Sequence, residues 1–224
     1  MADSLKYKCV VVGDSAVGKT SMLMTYQHDS FNENLNVDVC DGFMTEVAVE
    51  DTPCQLQLVD ICVTEGDDYD RIRYLSFYDT DIVIICFSLV DRSSLENVKS
   101  RWLPEINQHP SLRSAIYMLV GTKSDLRGDQ DVIARLREQD EEPIDVTEGR
   151  QVAKDIGAAD YVECSSCLKE TLSAVFCTAA WHSMQKKEMG QRRRRRRHTW
   201  KYACYLFCYA CWCGCCMCCC PDKF

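Results

Sequence analysis

Gly13, Gly18, Lys19 and Thr20 have the spacing G-x-x-x-x-G-K-[ST], which is typical of a phosphate-binding loop. In such a loop, backbone N–H groups and the start of a helix approach phosphate oxygens, and a lysine reaches the β- and γ-phosphates. The Thr20 hydroxyl is predicted to be a ligand for Mg²⁺. A glycine-rich turn without a ligand is the alternative, and the strand before the motif and the helix after it argue against that. The predicted phosphate contacts are Gly13, Asp14, Ser15, Ala16, Val17, Gly18, Lys19 and Thr20.

A second metal-facing group is predicted at Asp60, which ends the apolar run 56–59. A carboxylate at the carboxyl edge of a parallel sheet would face the metal ion, in this case through a water molecule. An aspartate that ends a strand is often only a cap. The prediction therefore depends on the phosphate loop as well.

Base selection is predicted from two segments, 122–125 and 163–166. The Asp125 carboxylate can accept both hydrogen bonds that N1 and N2 of guanine donate, and adenine has no such pair. The Lys123 stem would cover the base plane, next to Thr122. Backbone N–H groups of Ser165 and Ser166 would donate to guanine O6. Together with the loop, these residues predict binding of GTP or GDP with Mg²⁺.

Six apolar runs predict the strands that position these groups. Five of them alternate with segments of helix length, which is the pattern of an α/β domain with a mostly parallel sheet. The run 43–49 alternates less cleanly, and we expect it at the sheet edge beside 54–59. The predicted strands are 7–12, 43–49, 54–59, 82–88, 115–120 and 161–164.

Three helices are predicted from capping and periodicity. Ser93 with Glu96 forms a capping box before an apolar stripe. The charged segment 131–142 predicts an inserted surface helix, with a solvated loop as the alternative. The globular part is expected to end near Lys187. The helix after the last strand would bury Leu168, Leu172, Val175, Phe176 and Ala179.

Charge and cysteine are divided unevenly along the 224 residues, whose net charge is −8. Residues 192–224 carry six Arg, Lys201 and Lys223 against Asp222, a sum of +7, so the remainder carries −15. An acidic body excludes nucleic-acid binding by that part, and the basic end suits anionic lipids. Eight of the 17 cysteines lie in the body, mostly in apolar runs, which indicates reduced thiols in an intracellular protein.

The tail predicts a lipid anchor, because the Arg run 192–197 is followed by 19 uncharged residues, 202–220. Pro221 stands where a prenylation box needs Cys, so acylation is expected instead. Nineteen residues at 1.5 Å each would also span about 28 Å, so a membrane-spanning anchor stays open. A metal cluster is disfavoured because His and acidic ligands are missing from the run. The predicted acylation sites are Cys204, Cys208, Cys211, Cys213, Cys215, Cys216, Cys218, Cys219 and Cys220.

The sequence resembles the small GTPases of the Ras superfamily, and the Rho family in particular. The resemblance is carried by GDSAVGKT, DYDRIRYLSFYDTDIVIICFSLVDRSSLENV, GTKSDLR, the inserted 131–142 segment and YVECSS. It implies a P-loop NTPase G domain at 1–187, with helices on both faces of a six-stranded sheet, and a targeting tail at 188–224. It assigns guanine binding to Lys123, Asp125 and Ser165, and an aromatic base contact to Phe31.

The tail resembles that of the atypical, acylated Rho members. The resemblance implies effector proteins of the cytoskeleton or of membrane traffic, and exchange factors, as partners. It implies a monomer at the cytoplasmic face of the plasma membrane or of endomembranes.

Several family positions that serve hydrolysis or switching are altered. Ser15 stands where hydrolysing relatives have Gly, and Asp38 falls where the family has a metal-binding Thr. Two extra residues separate Asp60 from Asp68, so the Gln that orients the attacking water is missing and the family's Gly is displaced to Gly66 or lost. These changes predict slow hydrolysis and a mostly GTP-loaded protein.

Two alternatives to that prediction stay open. Glu65 or Asp67 could take over the role of the missing Gln, although an acid beside the γ-phosphate also repels it. The chain could also be a non-enzymatic interaction module that does not switch with nucleotide. A P-loop kinase would explain the phosphate motif and leave the segment 122–125 unexplained.

Overall fold

A six-stranded mixed sheet forms the centre of the structure, in the order β2-β3-β1-β4-β5-β6. The computed structural model describes residues 5–31, 42–50, 52–61 and 74–210, with side chains described as far as Gly190. Only β2 runs antiparallel, against β3, and every other pairing is parallel. The predicted α/β fold is thereby confirmed, including the edge position of β2. The strands are β1 (Leu5–Gly13), β2 (Gly42–Val49), β3 (Thr52–Asp60), β4 (Ile82–Ser88), β5 (Ile116–Thr122) and β6 (Tyr161–Glu163).

Helices and tight turns connect the strands. A π-helical turn follows α2, and 3₁₀ turns lie at Pro110–Ser114 and Ser124–Gly128. The helical elements are α1 (Lys19–His28), α2 (Arg92–Asn97), the π turn (Val98–Trp102), α3 (Leu103–Gln108), α4 (Gln130–Glu138), α5 (Val146–Ile156) and α6 (Lys169–Ala210).

The core follows from the composition of the central strands. All seven residues of β4 are buried, because a parallel strand covered on both faces excludes water from both sets of side chains. On one face, Val10 and Ile85 pack in a cluster with Trp102 and Ile106. Between α1 and α6, the rings of Tyr26 and Phe176 lie 4.3 Å apart.

The predicted capping box at the start of α2 is wrong. The N-cap is Asp91, whose carboxylate accepts a hydrogen bond from the Ser94 N–H at 3.3 Å. The Ser93 hydroxyl donates to that same carboxylate at 2.7 Å. An acidic side chain is at least as good a cap as serine, and here it comes two residues earlier.

The predicted helix 131–142 corresponds to α4, which begins at Gln130 and ends at Glu138. Asp129 caps it by accepting hydrogen bonds from two backbone N–H groups. The helix is shorter than expected because Asp140 has a positive φ of 60°. The alternative prediction of a solvated loop is wrong for residues 130–138.

The last predicted stripe is largely buried in α6, where Leu172, Val175, Phe176 and Ala179 have no exposed surface. Leu168 is the exception, since it precedes the helix and is 48% exposed. The chain divides into two compact units, Met1–Ser183 and Met184–Phe224. Within the described residues no helix is both long and apolar enough to cross a bilayer. Most of the predicted anchor run lies outside these residues, from 211 onward.

Candidate nucleotide-binding site

Two glycines shape the predicted phosphate loop. Gly13 has φ +146°, and a Cβ there would overlap the carbonyl oxygen of Cys86 on β4. Gly18 has φ +100° and is the N-cap of α1, with no side-chain cap on the helix. Because no side chain caps the helix, the first N–H groups of α1 are available to a ligand. Both positions therefore need glycine for backbone reasons alone.

The Lys19 side chain closes over this loop. Its Nζ donates to the carbonyl oxygens of Gly13 at 2.8 Å and Asp14 at 2.6 Å, and the residue is only 6% exposed. Both partners are neutral, so these bonds fix the ammonium group without cancelling its charge. The result is a positioned positive charge at the mouth of the loop, which suits phosphate oxygens.

Thr20 and Asp60 meet beneath the loop. The Thr20 Oγ1 donates to Asp60 Oδ2 at 2.5 Å. Asp60 is 4% exposed, and its Oδ1 has no hydrogen-bond partner among the described residues. Burial raises the pKa of Asp60, and the Thr20 hydrogen bond and the Lys19 charge offset this only in part.

A buried carboxylate oxygen without a partner next to a hydroxyl is a donor set that fits Mg²⁺. Thr20 and Asp60 would hold the ion, directly or through water, and the ion would neutralise phosphate charge. The predicted metal-facing pair is thus brought together by α1 and the end of β3. Asp38, which falls where the family has a metal-binding Thr, lies outside the described residues.

Thr122, the first residue of the predicted guanine segment 122–125, is bonded within the protein. It is 2% exposed, and its hydroxyl contacts the carbonyl oxygens of Val17 in the loop and Phe87 in β4, the latter at 2.9 Å. These bonds tie β5 to the phosphate loop. Thr122 therefore positions the site through the backbone, and its hydroxyl is already engaged.

Lys123 and Asp125 lie on the turn that follows β5. Lys123 has a left-handed backbone, φ 58°, and burial lowers the pKa of its ammonium group. A Cβ on Gly18 would lie 3.9 Å from Lys123 Cε, so the Lys123 stem runs past the start of α1. Asp125 is exposed in the 3₁₀ turn. The structure thus places a half-buried stem near an exposed carboxylate, the two groups that the sequence predicts for guanine.

The serine turn after β6 is internally bonded. Ser165 is fully buried; its N–H donates to Thr171 Oγ1 at 3.0 Å, and its hydroxyl accepts from the Cys167 N–H at 3.0 Å. The Ser165 amide is thus engaged within the turn. The Ser166 amide makes no hydrogen bond within the described part of the chain, and it is the group left to meet O6 of a base.

An ion pair that the sequence did not predict links the turn after β5 to the end of β6. Arg127 donates twice to Glu163, at 2.7 and 2.6 Å, and Tyr161 donates to the same carboxylate at 2.6 Å. The pair joins the turn bearing Asp125 to the strand before Ser165. No local pattern reveals a pair 36 residues apart, although Glu163 begins the predicted segment 163–166 and Arg127 comes two residues after the segment 122–125.

The remaining predicted residues differ in what the structure shows of them. Ser15 and Ala16 are exposed in the phosphate loop, and Ala16 has φ 59°. Phe31 follows α1 and is 42% exposed. Gly66 lies outside the described residues, as do the predicted acylation sites from Cys211 onward. Cys204 and Cys208 lie in the backbone of α6.

Comparison with protein-family models gives an independent result. The model of the Ras family matches residues 8–185, most of the 224 residues. The match spans the phosphate loop, Asp60, the turn after β5 and the serine turn. Proteins of this family generally bind GTP or GDP with Mg²⁺, and interact with effectors and exchange factors. The chain belongs to the Ras family of small GTP-binding signalling proteins.

Proposed function

We propose that the chain is a Rho-like signalling protein that binds GTP, hydrolyses it slowly and remains mostly GTP-loaded. The observation that carries this proposal is the phosphate loop itself. Lys19 is fixed on two loop carbonyls beside the Thr20–Asp60 pair, while the Ser15 side chain is exposed in the same loop. The binding apparatus is preformed, and a side chain stands where hydrolysing relatives have none. Effectors of the cytoskeleton or of membrane traffic would then recognise the GTP-bound protein, as a monomer.

The preference for guanine is supported by the two turns beyond the loop. The exposed Asp125 carboxylate lies next to the half-buried Lys123 stem. Arg127 and Glu163 hold the Asp125 turn against the end of β6. A rigid carboxylate discriminates well, because a base that cannot donate two hydrogen bonds leaves it unpaired.

Slow hydrolysis is supported by Ser15 and by the sequence of the two segments outside the described residues. A side chain at position 15 crowds the space through which water reaches the γ-phosphate. The missing Gln removes the group that orients this water. An arginine finger from an activating protein accelerates hydrolysis by about 10³ to 10⁵ only when the water is in position.

A single-turnover assay of phosphate release from GTP tests this proposal. We expect a rate of roughly 10⁻⁴ s⁻¹ for the full chain, with little acceleration by a Rho-family activating protein. Ser15→Gly is the matched variant, because it removes only the crowding side chain, and we expect it to speed up release. Strong acceleration of the unsubstituted chain by the activating protein would refute the proposal.

We also propose that the tail anchors the protein at the cytoplasmic face of the plasma membrane or of endomembranes, through S-acylated cysteines and the Arg run 192–197. The body carries −15 and is repelled by an anionic leaflet, whereas the tail is basic. One acyl chain binds a membrane marginally. Several chains together with six Arg, at about 1 kcal/mol each, make a stable anchor.

Membrane fractionation with chemical release separates acylation from a spanning anchor. We expect hydroxylamine, which cleaves thioesters, to release the full chain, and a chain truncated after Gly190 to remain in the supernatant. Replacing the nine tail cysteines by Ser should likewise leave the full chain in the supernatant, because serine cannot carry a thioester-linked acyl chain. Resistance to both hydroxylamine and alkaline carbonate would instead show that the tail spans the bilayer.

A further inference from the structure

Asp14 in the phosphate loop is held from two sides. Its carbonyl oxygen accepts a hydrogen bond from Lys19 Nζ at 2.6 Å. Its carboxylate points to the helical segment after β4, where it accepts from Trp102 Nε1 at 2.9 Å and Asn97 Nδ2 at 2.7 Å. Arg101 Nη1 lies 4.0 Å from the same carboxylate. The Asp14 side chain is thus held against this helical segment by two hydrogen bonds.

The π turn makes this double contact possible. Asn97 and Trp102 are five residues apart, and at 100° per residue an α-helix would direct them about 140° apart. The Leu103 N–H instead bonds to the carbonyl oxygen of Val98, five residues back, and this widened turn brings both side chains to Asp14. Such turns interrupt helices at a cost and often mark functional sites. Here the turn places two hydrogen-bond donors on one carboxylate.

Burial makes these contacts energetically demanding. Trp102 is 1% exposed, so its indole N–H would lose a partner completely if Asp14 turned outward. The Asp14 side chain is 16% exposed, and bonds to a charged acceptor are stronger than neutral ones. Outward rotation of Asp14 is therefore opposed, and so is the movement of the backbone that carries its carbonyl.

We infer that Trp102 and Asn97 are positioning residues for the phosphate loop. By holding the Asp14 carboxylate, they keep the Asp14 carbonyl on Lys19 and the loop backbone in the conformation that receives the β-phosphate. A loop that is already ordered loses less conformational entropy when it binds. The effect on nucleotide affinity rests on the proposed nucleotide binding. The ordering of the loop does not, because it is a property of the protein alone.

The first test compares nucleotides that differ by one phosphate. Trp102→Phe keeps a ring and removes the N–H, and we expect it to weaken GDP binding about tenfold, the loss expected for one hydrogen bond to a charged group. GMP lacks the β-phosphate, so its affinity should change much less. Trp181→Phe is the matched control, because Trp181 is 38% exposed and its ring contact is with His182. Equal weakening of GDP and GMP would overturn the inference.

The second test needs no nucleotide. Amide hydrogen exchange is measured on the nucleotide-free full chain in EDTA, for Trp102→Phe and for Asn97→Ala, again with Trp181→Phe as the control. We expect amides 14–19 to exchange about tenfold faster in the first two variants, while amides of β5 keep their protection. Unchanged exchange at 14–19 in both variants would overturn the inference. If the two variants exchange faster than the parent at 14–19 but the parent binds no guanine nucleotide, the positioning role is upheld and the proposed function is refuted.

Discussion

The Thr122→Val substitution should destabilise the protein and speed up nucleotide loss, although it preserves the shape of the side chain. The Thr122 hydroxyl contacts the carbonyl oxygens of Val17 and Phe87 in a place where the residue is 2% exposed. Valine puts a methyl group against both oxygens. Water does not replace the lost hydroxyl donor at such a buried position, so the two carbonyl oxygens lose its hydrogen bonding.

A buried polar group that loses its partner costs about 1–3 kcal/mol. With about 2 kcal/mol lost, the melting temperature of a domain of this size should fall by about 4–8 °C. Val17 lies between the exposed part of the phosphate loop and Gly18, so the loss also loosens the loop. We therefore expect faster release of bound guanine nucleotide in addition to lower stability.

Urea unfolding of the nucleotide-free protein in EDTA measures the first effect, and release of a fluorescent GDP analogue measures the second. Thr122→Ser is the matched control, because it keeps the hydroxyl and loses only the methyl group. We expect the serine variant to be closer to the parent than the valine variant in both assays. If valine equals the parent and serine is the destabilised variant, then the methyl packing matters and the hydrogen bonds do not.

Three further predictions concern other parts of the protein. Lys19→Ala and Asp125→Ala should each abolish GTP retention in a filter-binding assay. The first substitution removes the charge fixed on the loop, and the second removes the predicted guanine acceptor. Tight ATP binding by the parent, or GTP retention unchanged by both substitutions, would contradict this prediction. Burial acts to raise the pKa of Glu163, but the hydrogen bonds from Arg127 and Tyr161 outweigh it and keep the pKa below its ordinary value. The pair therefore stabilises the fold above the unfolded-state pKa of about 4.3, and this contribution is lost as the pH falls through the lower folded-state value. Denaturant titrations should show Glu163→Gln less stable than the parent at pH 7, with the gap closing below about pH 4; a gap independent of pH would refute the ion-pair argument. Replacing Arg192 to Arg197 by Gln should weaken sedimentation with anionic vesicles and remove its salt dependence, and unchanged binding would exclude the electrostatic contribution.

The fold was predictable because its signals are local and agree with one another. Buried runs such as 82–88 read as parallel strands from their composition alone, and the glycine spacing of the phosphate loop has one common structural meaning. The edge strand β2 was predictable from its weaker alternation. The cap of α2 was not, since Asp91 and Ser93 are both good caps and only the path of the backbone decides between them.

The contacts that support the site were beyond sequence reasoning for a different reason. Arg127 with Glu163, and Asp14 with Trp102, join residues 36 and 88 positions apart, and nothing in the local pattern of either partner signals the other. Thr122 belongs to the predicted guanine segment 122–125, and nothing in that segment signals that its hydroxyl contacts the carbonyl oxygens of Val17 and Phe87. Motifs identify which residues face a ligand, but the residues that hold them in place depend on the packing of the whole domain.

The nucleotide bound to the purified full chain is the most direct test of the proposed function. The protein is isolated rapidly in Mg²⁺, denatured, and its released nucleotide is separated and quantified by ion-exchange chromatography. The account predicts about one guanine nucleotide per chain, mostly GTP, because the loop and guanine turns bind tightly and hydrolysis is slow. GDP as the main species would contradict slow hydrolysis, and a chain free of guanine nucleotide would contradict the binding site itself.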